Sequence, residues 1–311
     1  MITILSNNGA PCLTTQTELI SGCWLNVIDP SLDEIARLQD LGVPQDFLTY
    51  SLDIDERART EKENGETFIL VRIPYFQGET SDIPYTTFPL GIILAERMII
   101  TVCKRENEIL QAFIAGRVRD FSTLKRHRFI LRILLATAQK YLSYLREINK
   151  VVDELEDQLQ LSTRNKELLE LLKYQKSLTY FTTALKSNEL MMERLQRSQL
   201  FKTFPEDEEL LEDVLTENQQ AIEMTNIASN ILSSMMDAFA SIISNNLNVV
   251  MKFLTSFTIM LSLPTIIAAF YGMNVKGLPF AESPFAFLLL LAFSVLISLS
   301  VGYVFVKRDW F

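Results

Sequence analysis

Tyr271-Gly272-Met273-Asn274 closes one uncharged run, Phe253 to Tyr271, and opens a short polar loop that a second uncharged run, Pro284 to Val306, follows. An α-helix rises about 1.5 Å per residue, so either run is long enough to cross the roughly 30 Å hydrocarbon core of a bilayer. The sequence therefore predicts two transmembrane helices joined by a loop of about a dozen residues. About 250 of the 311 residues come before the first span, room for one substantial soluble domain and a helical extension.

Met1-Ile2-Thr3-Ile4-Leu5 shows no basic leader before a long apolar core, so no cleavable signal peptide is expected and the large domain should stay in the cytosol. Two spans return the carboxyl end to the same side. Lys252 before the first span and Lys307-Arg308 after the second fit the positive-inside rule, which puts both termini in the cytosol of a multi-pass protein of the cytoplasmic membrane.

The first 251 residues carry 25 basic and 36 acidic side chains, a formal charge of −11. Such a domain repels nucleic acid and attracts cations, although acidity also keeps a large domain soluble. Cys12, Cys23 and Cys103 are scattered and odd in number, which suits a reducing compartment and argues against a thiolate metal site. The only histidine, His127, sits among Lys125, Arg126 and Arg128 and reads as a solvated helix residue. With no Walker loop, no Gly-rich dinucleotide turn and no nucleophile partner for that histidine, neither an enzyme, an organic cofactor nor ATP-driven transport is expected.

Toward the amino end, Ser21 to Ile28, Thr67 to Ile73, Leu90 to Leu94 and Met98 to Val102 are rich in β-branched residues and bounded by turn residues. They read as strands of one sheet. Ser31-Leu32-Asp33-Glu34 reads as a capping box opening a helix, so the domain is α/β or α+β. Ser122 to Leu161 and Asn165 to Gln199 then read as long helices free of Pro and Gly. Pro205 followed by four acidic residues is a strong helix start, and no proline or glycine recurs until Pro264. One helix from Pro205 to Tyr271 would be about 100 Å long and could carry a cytosolic event into the bilayer.

Along that helix Asn230, Ser234, Asp237, Ser241, Ser244, Asn248, Met251, Thr255, Thr258, Ser262, Thr265 and Ala269 recur by fours and threes, the repeat that brings parallel helices around a common axis. Small residues alone can serve close helix packing. A hydroxyl-rich stripe in lipid also fits a water-filled pore lined by symmetry-related copies, with Asn248, Thr255, Thr258, Ser262 and Thr265 facing the water. Two spans cannot enclose a pore alone, so that reading requires self-association.

Gly272-Met273-Asn274 at the end of the first span, the block Ser244 to Thr255, and Pro264-Thr265 and Tyr271 at matching separations resemble the CorA family of divalent-cation transporters. Trp24-Leu25-Asn26-Val27, Asp55-Glu56-Arg57-Ala58-Arg59 and Thr67 to Arg72 are similar to family segments nearer the front. The resemblance implies a homopentamer with a funnel-shaped cytosolic part, conducting Mg²⁺ inward and closing when internal Mg²⁺ is high. It implies Gly272, Met273 and Asn274 as selectivity filter, Met251 and Leu254 as hydrophobic gate, and Asp213 as a regulatory metal contact between subunits. Asp237, on the seam, is a further candidate contact for a hydrated ion. Mg²⁺ dehydrates reluctantly, so Asn274 carbonyl oxygens suit its intact water shell, and Gly272 suits close backbone approach. Ser262 departs from the apolar gate residue many members carry, and Phe280 replaces a frequent acid, leaving Glu282 alone in the loop. The basic cluster after the second span is reduced to Lys307-Arg308 beside Asp309.

The expected organisation is a cytosolic α/β domain over 1–121, long antiparallel helices over 122–204, a stalk helix over 205–252, spans over 253–271 and 284–306 around an external loop at 272–283, and a cytosolic tail at 307–311. Two alternatives stay open: the same transporter carrying Zn²⁺, Co²⁺ or Ni²⁺, and a membrane-anchored oligomeric sensor or scaffold.

Overall fold

The computed structural model describes residues 1–7, 13–63, 65–118, 121–161, 165–198, 200–201, 204–274, 278–279 and 283–308, with backbone alone at 159–161, 165 and 167. Cys12, Phe280, Glu282 and Asp309, to which the sequence assigns expectations, lie outside the described residues. The chain divides into two units, 1–236 and 237–311.

In the first unit, β1 (Ile2–Ser6), β2 (Thr14–Gln16), β3 (Cys23–Ile28), β4 (Arg59–Glu63), β5 (Glu66–Phe76), β6 (Tyr85–Leu94) and β7 (Met98–Cys103) form one mixed sheet ordered β2-β1-β3-β7-β6-β5-β4. The β3–β7 pair is parallel and the other pairs antiparallel. All four expected strands are present, and β5 and β6 run longer than their apolar cores. The short strands β1, β2 and β4, which the sequence reading did not single out, complete the sheet: β1 pairs with β3, β2 with β1, and β4 with β5.

Both faces of the sheet are covered, which is why its central strands read as nearly continuous apolar runs. Successive side chains point to opposite faces. Leu25, Phe68, Leu70, Ile93, Ile100 and Val102 meet Leu38 of α1 (Leu32–Asp40) and Phe47 and Leu48 of α2 (Gln45–Leu52). Trp24, Ile69, Val71, Ile92 and Ile99 go to the other core, with Phe113 of α3 (Glu108–Ile114), Phe129 and Leu134 of α4 (Arg126–Leu161) and Met191 and Met192 of α5 (Asn165–Arg197). Leu210, Leu211 and Val214 of α6 (Pro205–Tyr271) join this second core.

The capping box forms as the sequence predicts: Ser31 Oγ accepts from the Glu34 N–H at 3.3 Å, and a Glu34 carboxylate oxygen accepts from the Ser31 N–H at 2.9 Å. The first long helix starts at Arg126 rather than Ser122. Its expected first turn is diverted to Asn7, whose side chain accepts from the Thr123 N–H at 3.0 Å and donates to the Phe121 carbonyl at 3.0 Å.

Three of the quoted front segments have structural work in this fold. Trp24 Nε1 donates to Thr101 Oγ1 at 2.8 Å, and that hydroxyl donates to Asn26 Oδ1 at 3.1 Å, so a buried indole is satisfied across the parallel pair. Arg72 brings the other two together: its guanidinium donates to the Glu56 carbonyl at 2.8 Å and the Thr87 carbonyl at 2.9 Å. Its own carbonyl accepts from Tyr141 Oη at 3.0 Å and Asn188 Nδ2 at 2.8 Å, which ties β5 to α4 and α5.

Gly91, at the centre of β6, lies under α2. A Cβ there would sit 2.8 Å from Ser51 Cβ, closer still to Ser51 Oγ, and 3.2 Å from the Phe68 ring. Ser51 is fully buried and its hydroxyl donates to the Phe47 carbonyl at 2.6 Å, so it has nowhere to retreat. Gly91→Ala is therefore expected to destabilise the fold by about 1–3 kcal/mol through overpacking. Denaturant unfolding followed by Trp24 fluorescence measures it, and an unchanged midpoint would show that the α2–β6 contact yields freely.

Candidate functional site

In the second unit, α6 and α7 (Ala286–Lys307) are each long and apolar enough to cross a membrane. α6 passes through Pro264 without ending. The two helices meet along one side of α6. Ser256 is fully buried, Ser298 Oγ donates to the Met260 carbonyl at 3.2 Å, and a Cβ on Gly302 would come within 3.1 Å of Met260 Cε. Small residues on α7 let the helices approach, a common device where no hydrophobic effect drives association.

The polar seam occupies a different side of α6. Asp237, Ser241, Ser244, Asn248, Met251, Thr255, Thr258, Thr265 and Ala269 are exposed, and Ser262 is half-buried. Asn230 and Ser234, the seam residues of the first unit, are exposed as well. Thr258 Oγ1 donates to the Leu254 carbonyl at 2.8 Å, Ser262 Oγ to the Thr258 carbonyl at 2.7 Å, and Thr265 Oγ1 to the Leu261 carbonyl at 2.8 Å. Each of these hydroxyls spends its only proton on its own helix four residues back. Only acceptor lone pairs remain for whatever lies alongside, so these three positions present oxygen without donors.

Met251 and Leu254, 58% and 54% exposed, stand on the same α6 surface as Thr255 and Thr258, one helical turn apart from them. Large apolar side chains left this bare on one chain require lipid or other chains around them. At the end of α6 the Gly272 N–H donates to the Ala268 carbonyl at 2.9 Å and the Met273 N–H to the Phe270 carbonyl at 3.3 Å, so the last turn tightens before the chain leaves the helix. Tyr271 Oη donates to the Pro279 carbonyl at 2.8 Å and draws the returning loop against the helix end. Met273 and Asn274 are exposed beyond it. A Cβ on Gly272 would meet the Ala268 carbonyl oxygen no closer than 3.4 Å, so nothing among the described residues demands glycine there.

Asp213 is exposed on α6 in the first unit, beside the buried Val214, and Asp237 is exposed in the second. Among the described residues no three His, Cys, Asp or Glu side chains gather closely enough to hold a metal ion within one chain. Neither aspartate has such a set around it among the described residues. The sequence reading missed the α6–α7 contact through Ser256, Ser298 and Gly302. The small residues on α7 were its only signal, inside a run read for hydrophobicity alone.

The family model of CorA-like Mg²⁺ transporter proteins matches residues 21–308. The cobalt/magnesium transport protein CorA of Methanocaldococcus jannaschii is 30% identical over 298 residues, 92% of this chain and 90% of that protein. The magnesium transport protein CorA of Helicobacter pylori is 23% identical over 295 residues, again 92% and 90% of the two chains. The solved complete structure of the Methanocaldococcus jannaschii CorA magnesium transporter superposes with a TM-score of 0.85 at 26% identity, covering 100% of this chain and 99% of that one.

Proposed function

This chain belongs to the family of CorA-like Mg²⁺ transporter proteins, and from that premise we propose that it conducts hydrated Mg²⁺ into the cell as a homopentamer closed by high cytosolic Mg²⁺. The acceptor-only stripe of Thr258, Ser262 and Thr265 carries the proposal. A hydrated Mg²⁺ turns its water hydrogens outward, and a wall of oxygen lone pairs receives them without stripping the shell, which Mg²⁺ gives up only at high cost. An anchor for a scaffold has no use for such a wall.

In this reading five copies of α6 surround the path, with Asn248, Thr255, Thr258, Ser262 and Thr265 lining it. Met251 and Leu254 form the apolar gate. Asn274, with Gly272 and Met273, forms the outer filter, and glycine at 272 serves close approach between copies. Residues 1–252 lie in the cytosol as sheet domain, paired helices and stalk, 253–271 and 284–306 span the cytoplasmic membrane around the external loop at 272–283, and the tail at 307–311 returns inside. The protein acts as a transporter and not as an enzyme. Co²⁺ is the second cargo to consider, because the archaeal relative is named for cobalt and magnesium together. Mg²⁺ influx into sealed liposomes carrying only this chain tests the function; influx no faster than in protein-free vesicles would favour the scaffold alternative.

Closure by Mg²⁺ is assigned to exposed carboxylates brought together between subunits, with Asp213 the leading group and Asp237 a contact for the passing ion. Like charges at close range repel, so a bound cation favours the tight symmetric assembly and its loss a splayed one. Asp213→Ala should shift closure to higher internal Mg²⁺ when currents are recorded across an internal Mg²⁺ titration. An unshifted midpoint would remove Asp213 from sensing.

A further inference from the structure

The beginning of α4 and the beginning of α6 face each other across a cleft of about 620 Å³ whose lining includes Lys125, Arg126, His127, Arg128, Glu206 and Asp207. The residues that close it are polar. Arg128 Nε donates to Asp207 Oδ1 at 2.8 Å and its Nη2 donates to Glu206, so one guanidinium of α4 holds the first turn of α6. Asp207 is only 4% exposed, and Arg128 is the only ion-pair partner it has among the described residues. Arg126 is fastened elsewhere: its guanidinium donates to the carbonyls of Ala95 and Glu96, between β6 and β7.

His127 stands between those two arginines in sequence and lines the same cleft. Its ring is half-buried rather than solvated, and it lies nearly perpendicular to the ring of the buried Phe201, with 5.9 Å between centroids. A neutral imidazole suits this place. An imidazolium there would be partly cut off from water and would add positive charge beside Lys125, Arg126 and Arg128. Glu206 and Asp207 are the carboxylates facing it across the cleft, and both are already engaged by Arg128.

We propose that His127 is a proton-sensing position, and that its protonation loosens the Arg128 clamp between the start of α4 and the start of α6. A charged ring competes with Arg128 for Asp207 while repelling Arg126 and Arg128, so the first turn of α6 loses its hold on α4. Burial, the larger cause, and the Arg126 charge lower the pKa of His127 from its ordinary 6.5, and the opposing pull of Asp207 is smaller. A histidine with a lowered folded-state pKa gives its full support above the unfolded value, and that support is lost as pH falls through the folded value. The sensitive range is therefore mildly acidic, below about pH 6.5. The inference does not depend on transport, since its test reads the junction itself.

The chain's single histidine makes that test direct. In the purified full-length protein carrying ¹³C-labelled histidine, the ring should titrate below 6.5, and a midpoint at or above 6.5 would overturn the proposal. Hydrogen exchange of peptides covering 204–212, corrected for intrinsic rates, should quicken about threefold or more between about pH 7.5 and about pH 5.5 as the first turn of α6 is released. His127→Gln keeps a neutral polar ring replacement and should exchange alike at both pH values. The same quickening in that variant would place the sensor elsewhere and sink the idea. Should that variant fail to fold, the wild-type ring titration still decides.

Discussion

Replacing Asn274 by alanine is expected to abolish Mg²⁺ influx while leaving helix content and subunit number unchanged. Asn274 is exposed past the last turn of α6, so its truncation should cost the fold of a single chain little. Its value under the proposed reading comes from repetition. Five carboxamide oxygens around one axis accept hydrogen bonds from the water shell of a single ion, and alanine removes all five together. At about 0.5–1.5 kcal/mol for each hydrogen bond the ring loses several kcal/mol, so influx should fall by at least about a hundredfold. An alanine variant that assembles and still takes up Mg²⁺ at the normal rate would end the filter assignment.

The opposite change is expected at the gate. Met251 and Leu254 are large, exposed and one turn apart, and five copies of each would make a constriction from which water withdraws. Met251→Asp puts five carboxylates where that dry ring stood. They hydrate the passage and attract cations, so basal current at high internal Mg²⁺ should rise at least about tenfold. No rise in a correctly assembled variant would move the gate away from Met251. Ser262 sharpens this prediction. Its hydroxyl is tied back to the Thr258 carbonyl at 2.7 Å and offers an acceptor, so under the proposed reading the dry ring falls to Met251 and Leu254.

The parts of this fold legible in sequence were those whose cause is local. Phe253 to Tyr271 and Pro284 to Val306 announce, through hydrophobicity alone, two helices long and apolar enough to cross a membrane, and Ser31 with Glu34 announces a helix start through two reciprocal hydrogen bonds. Central strands such as Thr67 to Ile73 are visible because both of their faces are buried. The edge strand Arg59–Glu63 carries four charged residues and owes its existence to the partner it pairs with. Arg72 looks like a solvated interruption of an apolar run, and its role as a polar hub depends on Glu56, Thr87, Tyr141 and Asn188 arriving from four separate segments. His127 was misread as solvated for the same reason: its basic neighbours suggest an exposed face, and Phe201 covers the ring only after α5 has returned. At the candidate site the spacing of the seam was legible, whereas the direction in which each hydroxyl spends its proton was not.

The central claim is that copies of this one chain form a Mg²⁺ path, and current across a planar bilayer containing only the purified protein tests it most directly. With Mg²⁺ as the sole cation on the external side, the claim predicts an inward current that falls away as Mg²⁺ is raised on the cytosolic side and is absent from the Asn274→Ala variant. Protein that is correctly assembled in the bilayer yet passes no Mg²⁺ current at low cytosolic Mg²⁺ would contradict it.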